Sequence, residues 1–225
     1  MNSYKIINKT EWPRSELFDF YQTFNDPCFH VSVSLDGQRL YEYAKGRGES
    51  FFLLTLYAIL RAANLVPQMR QRVMGGDIIE FDQLAVMTPI MTGHEMFRQI
   101  WCEYAPDFAA FAQAAAPEAA AARGGNPAPL KDHGQDFLCA SCLPWLHFTS
   151  ISQAALDFHQ AVPILGWGQL KDGKIPMSGK FNHAFVDGLH VARFYWHIEQ
   201  CLARPESLME PAEEFTRPPA GYPGF

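Results

Sequence analysis

Apolar side chains recur along the chain with two spacings, one typical of helices and one typical of strands. Between positions 17 and 21 they recur at near-helical spacing after Pro13, a residue suited to a first helical turn, which predicts a helix over about 13–25. From Cys28 to Leu40 apolar and polar residues alternate, as in a half-buried strand. The mostly apolar run from Phe51 to Leu65 predicts a helix that is buried on several sides.

Glycine-containing turns in two places predict β-hairpins. Residues 72–87 contain two β-rich runs around Gly75-Gly76-Asp77. Residues 162–186 form two apolar runs joined across Asp172-Gly173, which is a strong hairpin signal. Further strands are expected near 90–100 and within 137–150.

The remaining segments add helices and complete the predicted architecture. An Ala-rich stretch from Phe108 ends in glycine and proline at 124–127, which predicts a helix and then a surface loop. Asp187 stands at the N-cap of a helix whose apolar residues share one face. We therefore expect an α+β or α/β two-layer sandwich around a mostly antiparallel or mixed sheet. One domain over 1–204 fits the length, and a Pro-rich, loosely ordered tail follows over 205–225.

Charge and composition narrow the expected partners. The 18 basic and 24 acidic side chains give a net charge of -6, which disfavours nucleic acid. The densest apolar run, Phe51 to Leu60, is far shorter than the roughly 20 residues that cross a bilayer. We expect a soluble, cytoplasmic protein with no membrane partner. Cys139 and Cys142, three apart on a predicted strand, face opposite sides, so we predict reduced thiols and no metal site.

His183 is the first candidate for chemistry. If its strand continues to Val186, the imidazole shares a face with Phe181 and Phe185. Poor solvation there keeps the ring neutral and able to accept a proton near pH 7. Asp187 follows too far along an extended chain to bond this ring without a sharp turn, so a structural role fits it equally. Taken alone, the spacing favours a packed core histidine and a helix cap.

Three separated blocks nevertheless resemble one family. The segment from Phe181 to Phe194 closely resembles the His-His-Ala-x-x-Asp-Gly-x-His-Val-x-Arg signature of the chloramphenicol acetyltransferases. The segment from Trp12 to Tyr21 is similar to the family's N-terminal Trp-x-Arg block, and Ser141 to Trp145 to its Ser-Ala-x-Pro-Trp block. The resemblance covers residues from about 10 to 203. It implies the coenzyme A-dependent acyltransferase fold.

The resemblance also implies two catalytic residues. His183 matches the base that takes the proton of the acceptor hydroxyl while that oxygen attacks the acetyl thioester. Ser141 matches the serine that donates a hydrogen bond to the oxyanion of the tetrahedral intermediate, where charge stabilisation is a major source of rate. Gly166 stands where the family has a threonine that helps to hold a water, and Gln169 where it has a lysine near the coenzyme's phosphates.

Four further residues receive roles from the resemblance. Asp187 and Arg14 match a buried ion pair that shapes the active-site backbone. Tyr21 matches an aromatic residue of the acceptor pocket, and Trp145 matches a residue of the coenzyme A channel. Ordinary core packing explains Tyr21 and Trp145 equally well.

The implied activity is direct transfer of acetyl from acetyl-CoA, a co-substrate, to a hydroxyl of a small-molecule acceptor. Chloramphenicol or a similar alcohol is the expected acceptor, which implies a role in antibiotic resistance. The family is homotrimeric with sites between subunits, and no metal or permanently bound cofactor is implied. Two alternatives stay open, a dihydrolipoamide acyltransferase-like core and a catalytically silent small-molecule-binding protein on the same fold.

Overall fold

The computed structural model describes residues 2–93, 95–126, 129, 134–154 and 161–212 of the 225-residue chain. Within these residues the strands are β1 (Tyr4–Ile6), β2 (Cys28–Asp36), β3 (Gln71–Met74), β4 (Asp77–Phe81), β5 (Ala85–Met91), β6 (Phe97–Cys102), β7 (Phe137–Leu143), β8 (Ile164–Gly168) and β9 (Lys174–Asn182). The helices are α1 (Ser15–Gln22), α2 (Gln38–Arg47), α3 (Phe51–Leu65), α4 (Phe108–Arg123) and α5 (Gly188–Ala203), with short 3-10 helices at Pro67–Arg70 and Pro205–Met209.

The strands of the described residues form two sheets. The larger sheet has the order β2-β9-β8-β7-β5-β6, in which β7 runs parallel to both β5 and β8 while the other pairs are antiparallel. The smaller sheet, β1-β4-β3, is antiparallel. This mixture of helices with a mixed sheet confirms the predicted fold class.

Helices cover one face of the larger sheet. Phe181 of β9 meets the ring of Phe194 in α5 with centroids 6.0 Å apart, and Trp167 of β8 stacks on Phe52 of α3 at 5.6 Å. Helix α3 begins as predicted at its N-cap, Ser50, whose hydroxyl accepts a hydrogen bond from the backbone N–H of Leu53. Side chains alternate along a strand. The residues next to Phe181 in β9 and next to Trp167 in β8 therefore point to the opposite side of the sheet.

That opposite side, which we call the outer face, is defined by Ser141, Gly166 and Ser178. These residues lie level with one another on β7, β8 and β9. Each is adjacent in sequence to a residue that points to the helix-covered face, as Gly166 is to Trp167. The outer face therefore presents small and polar residues at the middle of the sheet.

Two predicted strands are shorter than expected. The alternating run from Cys28 stops at Asp36, and helix α2 follows, which the pattern did not indicate. The backbone N–H of Gly37 donates to the carbonyl of Gly173, and the Asp36 carboxylate accepts from the N–H of Gln38, so the chain turns there. Likewise, β4 ends at Phe81, and the rest of the predicted 72–87 hairpin belongs to β5 in the other sheet.

Both predicted hairpin turns are present. Gly75 and Gly76 have φ of 62° and 95° between β3 and β4, a region that glycine adopts without strain. Asp172 and Gly173 have φ of 50° and 76° between β8 and β9, as a two-residue hairpin requires.

The C-terminal part packs further than predicted. Arg61 donates to the carbonyls of Ser207 and Glu210 at 2.7 and 3.0 Å, and Leu208 is fully buried. The expected loose tail therefore does not begin at residue 205, because these contacts hold the backbone to α3. Residues 213–225 of that tail lie outside the described residues. Within the described part of the chain, no helix has both the length and the apolar character needed to span a membrane.

Arg72 is a fully buried cation that joins the two sheets. Its guanidinium donates to the carbonyls of Met69, Gln71, Gln135 and Phe137 at 2.8 to 3.1 Å. Burial lowers the pKa of Arg72 to about 9, and nearby Asp136 opposes that shift. The planar fork of the guanidinium serves carbonyls on both sheets at once, which an ammonium cannot do.

We expect Arg72→Lys to lower the free energy of unfolding by roughly 3 kcal/mol, because buried carbonyls lose their donors. Urea unfolding followed by circular dichroism measures this change. Arg39→Lys is the control, since the Arg39–Glu206 pair is exposed and should change stability by less than about 0.5 kcal/mol. Equal losses in the two variants would contradict the role given to Arg72.

Candidate active site

A tight turn after β9 positions His183. The strand ends at Asn182, whose side-chain oxygen accepts the N–H of Ala184 at 2.9 Å and whose carbonyl accepts from Phe185 and Val186. The N–H of His183 donates to the carbonyl of Pro27 at 2.8 Å. The prediction that the strand continues to Val186 is therefore wrong, because Asn182 folds the chain back on itself.

The His183 ring lies between two aromatic side chains. It stacks on Tyr21 of α1 with centroids 4.2 Å apart and planes 10° apart, and it meets Phe29 of β2 at 4.6 Å. The ring contacts of the imidazole are thus with Tyr21 and Phe29, whereas the sequence pattern placed Phe181 and Phe185 beside it. The His183 side chain keeps 32% of its surface exposed. The ring is thus held in one plane and still open at an edge.

Arg14 anchors the backbone of this turn. Its guanidinium donates to the carbonyls of His183 and Ala184 at 2.6 and 2.8 Å. It also binds the Asp187 carboxylate through two nitrogens, one of them at 2.6 Å. This hydrogen bond from Arg14 lowers the pKa of Asp187. The structure therefore places Arg14 and Asp187 together, directly beneath the candidate base.

Asp187 contacts the imidazole less closely than it contacts Arg14. The His183 Nδ1 and Asp187 Oδ1 atoms lie 3.2 Å apart, but their angles do not make a hydrogen bond, and Nδ1 has no other hydrogen-bond partner within the described residues. Asp187 is the N-cap of α5, as predicted, and its backbone N–H donates to Nδ1 of His190 at 2.9 Å. Burial lowers the pKa of His190 to about 4, so this acceptor is neutral.

Ser141 opens onto a groove on the outer face. The groove has a volume of about 460 Å³ and also contains Trp145, whose surface is 66% exposed. Its other walls are mainly apolar, and they include Met87, Met91, Phe97, Leu143 and Ile164. Such a shape, with few polar groups among apolar walls, is typical of a small-molecule site.

The two candidate catalytic residues are far apart within one chain. Ser141 is level with Ser178, which precedes His183 by five residues, and β7 lies two strands from β9. At about 3.3 Å per residue and 4.8 Å per strand, Ser141 is roughly 16 Å from Asn182, the end of β9 at which the His183 turn begins. In addition, His183 packs on Phe29, which shares the helix-covered face with Phe181, whereas Ser141 lies on the outer face.

The predicted site residues therefore form two groups. Tyr21, Arg14 and Asp187 surround His183, and Trp145 accompanies Ser141. Sequence reasoning missed Phe29 as a neighbour of the imidazole and Asn182 as the residue that forms the turn. The pairing of β2 with β9 places Phe29 opposite Phe181. The alternation along β2 alone does not reveal this position.

The remaining candidate chemistry is unreactive. Cys139 and Cys142 pair with Ile164 and Trp167 and so face opposite sides of the sheet, as predicted. Burial raises the pKa of each thiol to about 12. Across the described ranges, no three His, Cys, Asp or Glu side chains are grouped so that they could bind a metal ion.

Comparison with known proteins first defines a class. The structure is similar to that of a probable dihydrolipoamide acetyltransferase from Listeria monocytogenes 4b F2365, with a TM-score of 0.63 and 17% identity over 88% of this chain and 93% of the other. At this identity the likeness shows the fold alone. The architecture is that of the coenzyme A-dependent acyltransferases.

The chain belongs to the chloramphenicol acetyltransferase family, whose model matches residues 1–199. A solved structure named chloramphenicol acetyltransferase is 30% identical, with a TM-score of 0.82 over 89% of this chain and all of that one. A chloramphenicol acetyltransferase of Klebsiella sp is 26% identical over 89% of this chain and 94% of its own length. Chloramphenicol acetyltransferase 2 of Escherichia coli is 28% identical over 84% and 92%. The predicted resemblance and the acyltransferase class are thereby confirmed.

We expect Arg14→Lys to lower the free energy of unfolding by about 1–3 kcal/mol, because a lysine cannot serve Asp187 and two carbonyls together. The imidazole signals of His183 in nuclear magnetic resonance spectra should broaden or shift as its backbone loosens. Urea unfolding gives the stability, and the exposed Arg123→Lys serves as control. Unchanged His183 signals in a destabilised Arg14→Lys protein would show that Arg14 does not position the ring.

Proposed function

We propose that the protein transfers acetyl from acetyl-CoA to a hydroxyl of a small molecule, chloramphenicol or a similar alcohol. One observation carries this proposal: the partly exposed His183 ring is held between Tyr21 and Phe29, with its own carbonyl bound by Arg14. A base fixed in one orientation is what proton abstraction from an alcohol needs. The names of the relatives support chloramphenicol as the acceptor to test first.

The reaction proceeds without an acyl-enzyme. His183 takes the proton of the acceptor hydroxyl while that oxygen bonds to the thioester carbon. The carbonyl oxygen becomes an oxyanion, which receives a hydrogen bond from the Ser141 hydroxyl. The carbon–sulfur bond then breaks, and the proton returns from the imidazole to the departing thiolate, so that the acetyl ester and free coenzyme A leave.

The other residues bind and orient the substrates. Tyr21, stacked on the imidazole, lines the acceptor side, and Trp145, beside Ser141, lines the coenzyme A channel. Arg14 and Asp187 keep the His183 turn in shape. Residues 1–204 form the acyltransferase domain, and the protein works in the cytoplasm with no nucleic-acid or membrane partner. It binds no metal and no permanent cofactor, and antibiotic resistance is its proposed role.

We further propose that the active protein is a homotrimer with its sites between subunits. Ser141 is roughly 16 Å from the end of β9 at which the His183 turn begins, and the two side chains lie on different faces of the sheet, so one chain cannot bring both to one substrate. The Ser141 groove also exposes large apolar side chains, those of Met91, Phe97 and Trp145. A second copy that covers this surface would bury them and bring its His183 to Ser141 of the first.

With acetyl-CoA and an acceptor, His183→Ala should slow thiol release by about 10²- to 10⁴-fold, because it removes the base. Ser141→Ala should slow it by about 10²- to 10³-fold, because it removes an oxyanion donor. Acceptors should include chloramphenicol and dihydrolipoamide, so that transfer to a hydroxyl is distinguished from transfer to a thiol. Ser34→Ala, an exposed serine of the edge strand β2, is the control. Wild-type rates in both active-site variants would exclude the assignment, and no thiol release by the wild type would favour the binding-protein alternative.

Mixed subunits test whether the sites lie between chains. A His183→Ala chain still supplies Ser141, and a Ser141→Ala chain still supplies His183. When equal amounts are refolded together, about a quarter of the sites in random oligomers receive both intact residues, since each is present in half of the chains. Activity should therefore rise far above that of either variant alone. A mixture no more active than its components would place both residues of a site in one chain.

A further inference from the structure

The space above Gly166 on the outer face is filled from a loop rather than from the sheet. Gly166 lies beside Ser141 of β7 and Ser178 of β9. A Cβ atom at position 166 would lie 2.7 Å from Nε2 of Gln153 and 2.7 Å from a methyl carbon of Ile151. These distances are shorter than real Cβ contacts, so a residue with a Cβ atom at position 166 would force the side-chain ends of Gln153 and Ile151 to move.

Strand β9 holds this loop on both sides of Gln153. The Ser178 hydroxyl donates to the carbonyl of Ile151 at 2.9 Å. The buried Lys180 ammonium donates to the carbonyl of Ala154 at 3.3 Å. The backbone of Gln153 is therefore fixed over Gly166, and its side chain reaches toward the position where residue 166 has none.

The Nε2 atom of the Gln153 amide has no hydrogen-bond partner in the part of the chain that the structure describes. This atom is buried, although the side chain lines the same groove as Ser141. A buried donor without an acceptor is unfavourable, so a ligand oxygen in the groove would be a better partner than none. The terminal torsion of glutamine is broad, and rotation about it turns the N–H group from Gly166 toward the groove.

Ser141 and Gln153 are close enough to bind one atom. Neighbouring strands lie about 4.8 Å apart, so the side-chain position of Gly166, which the amide occupies, is about one strand spacing from that of Ser141. An oxygen that accepts from the Ser141 hydroxyl is then within reach of the turned amide. Two donors on one oxygen stabilise negative charge better than one.

We propose that Gln153 is a second catalytic hydrogen-bond donor in this site, binding the same acyl oxygen as Ser141. This inference rests on the proposed acetyl transfer. The acyl oxygen becomes negatively charged only as the tetrahedral intermediate forms. The contribution of the amide is therefore larger in the transition state than in the bound substrate, and it acts on kcat more than on KM.

Gln153→Leu removes the donor and keeps much of the side-chain volume. We expect kcat to fall by about 10-fold or more, with the KM for acetyl-CoA and for the acceptor within about twofold of the wild-type values. The melting temperature should not fall, because the variant loses an unpaired amide. Gln113→Leu on the exposed surface of α4 is the matched control. A kcat within about twofold of wild type, or a loss of kcat accompanied by a lower melting temperature, would overturn the inference.

A second pair of variants tests the shared position. Gly166→Ser alone should lower both stability and activity, because its Cβ collides with Gln153. In a Gln153→Ala background the amide is gone, and the methyl end of the Ile151 side chain is free to turn aside. The new hydroxyl then occupies the space of the missing amide, and kcat should rise above that of Gln153→Ala. A double variant no faster than Gln153→Ala contradicts the proposal.

The experiments distinguish a failure of the proposed acetyl transfer from a failure of the role of Gln153. If the wild type transfers no acetyl to any acceptor, the proposed function fails and the role of Gln153 fails with it. If the wild type is active and His183→Ala is not, while Gln153→Leu behaves as wild type, only the role of Gln153 is lost.

Discussion

The position of the candidate base, His183, depends on the guanidinium of Arg14. The turn after β9 exposes two successive carbonyls, and both point at this one cation, which also binds the Asp187 carboxylate at the start of α5. A strand end, a turn and a helix start are thereby joined through a residue that precedes α1. Tyr21 lies in α1, the helix that follows Arg14. One segment of the chain therefore both binds the backbone of His183 and places an aromatic ring against its imidazole.

A separate set of constraints shapes the Ser141 side. The position of the serine follows from the parallel pairing of β7 with β8, and the walls of its groove come from β5, β6 and the loop after Leu143. Strand β9 connects the two sets, since it pairs with β8, binds the loop over Gly166 and ends at the His183 turn. In the proposed homotrimer, each chain would contribute its His183 to one site and its Ser141 to another.

Local pattern predicted much of the fold, because α3, α4, α5 and both hairpin turns are determined by residues close in sequence. Local pattern failed where contacts between residues far apart in sequence determine the structure. The alternation through Leu40 gave no sign that Gly37 would turn against Gly173 and begin α2. The ring contacts of His183 with Tyr21 and Phe29 were also missed, since they join the turn after Asn182 to segments far away in sequence. The family signature identified the candidate residues, but their separation within one chain became visible only from the strand order.

The burial of the cysteines has a practical consequence for studying such a reaction. Cys102, Cys139 and Cys142 have pKa values raised to about 12, and Cys201 to about 11, in each case mainly by desolvation. Thiolate, not thiol, attacks disulfide reagents, so the raised pKa values disfavour reaction of these four sulfurs at neutral pH, most of all for the buried Cys102 and Cys201. A colorimetric reagent then counts the sulfur of the coenzyme with little background from these side chains, and a rising signal from them would report unfolding.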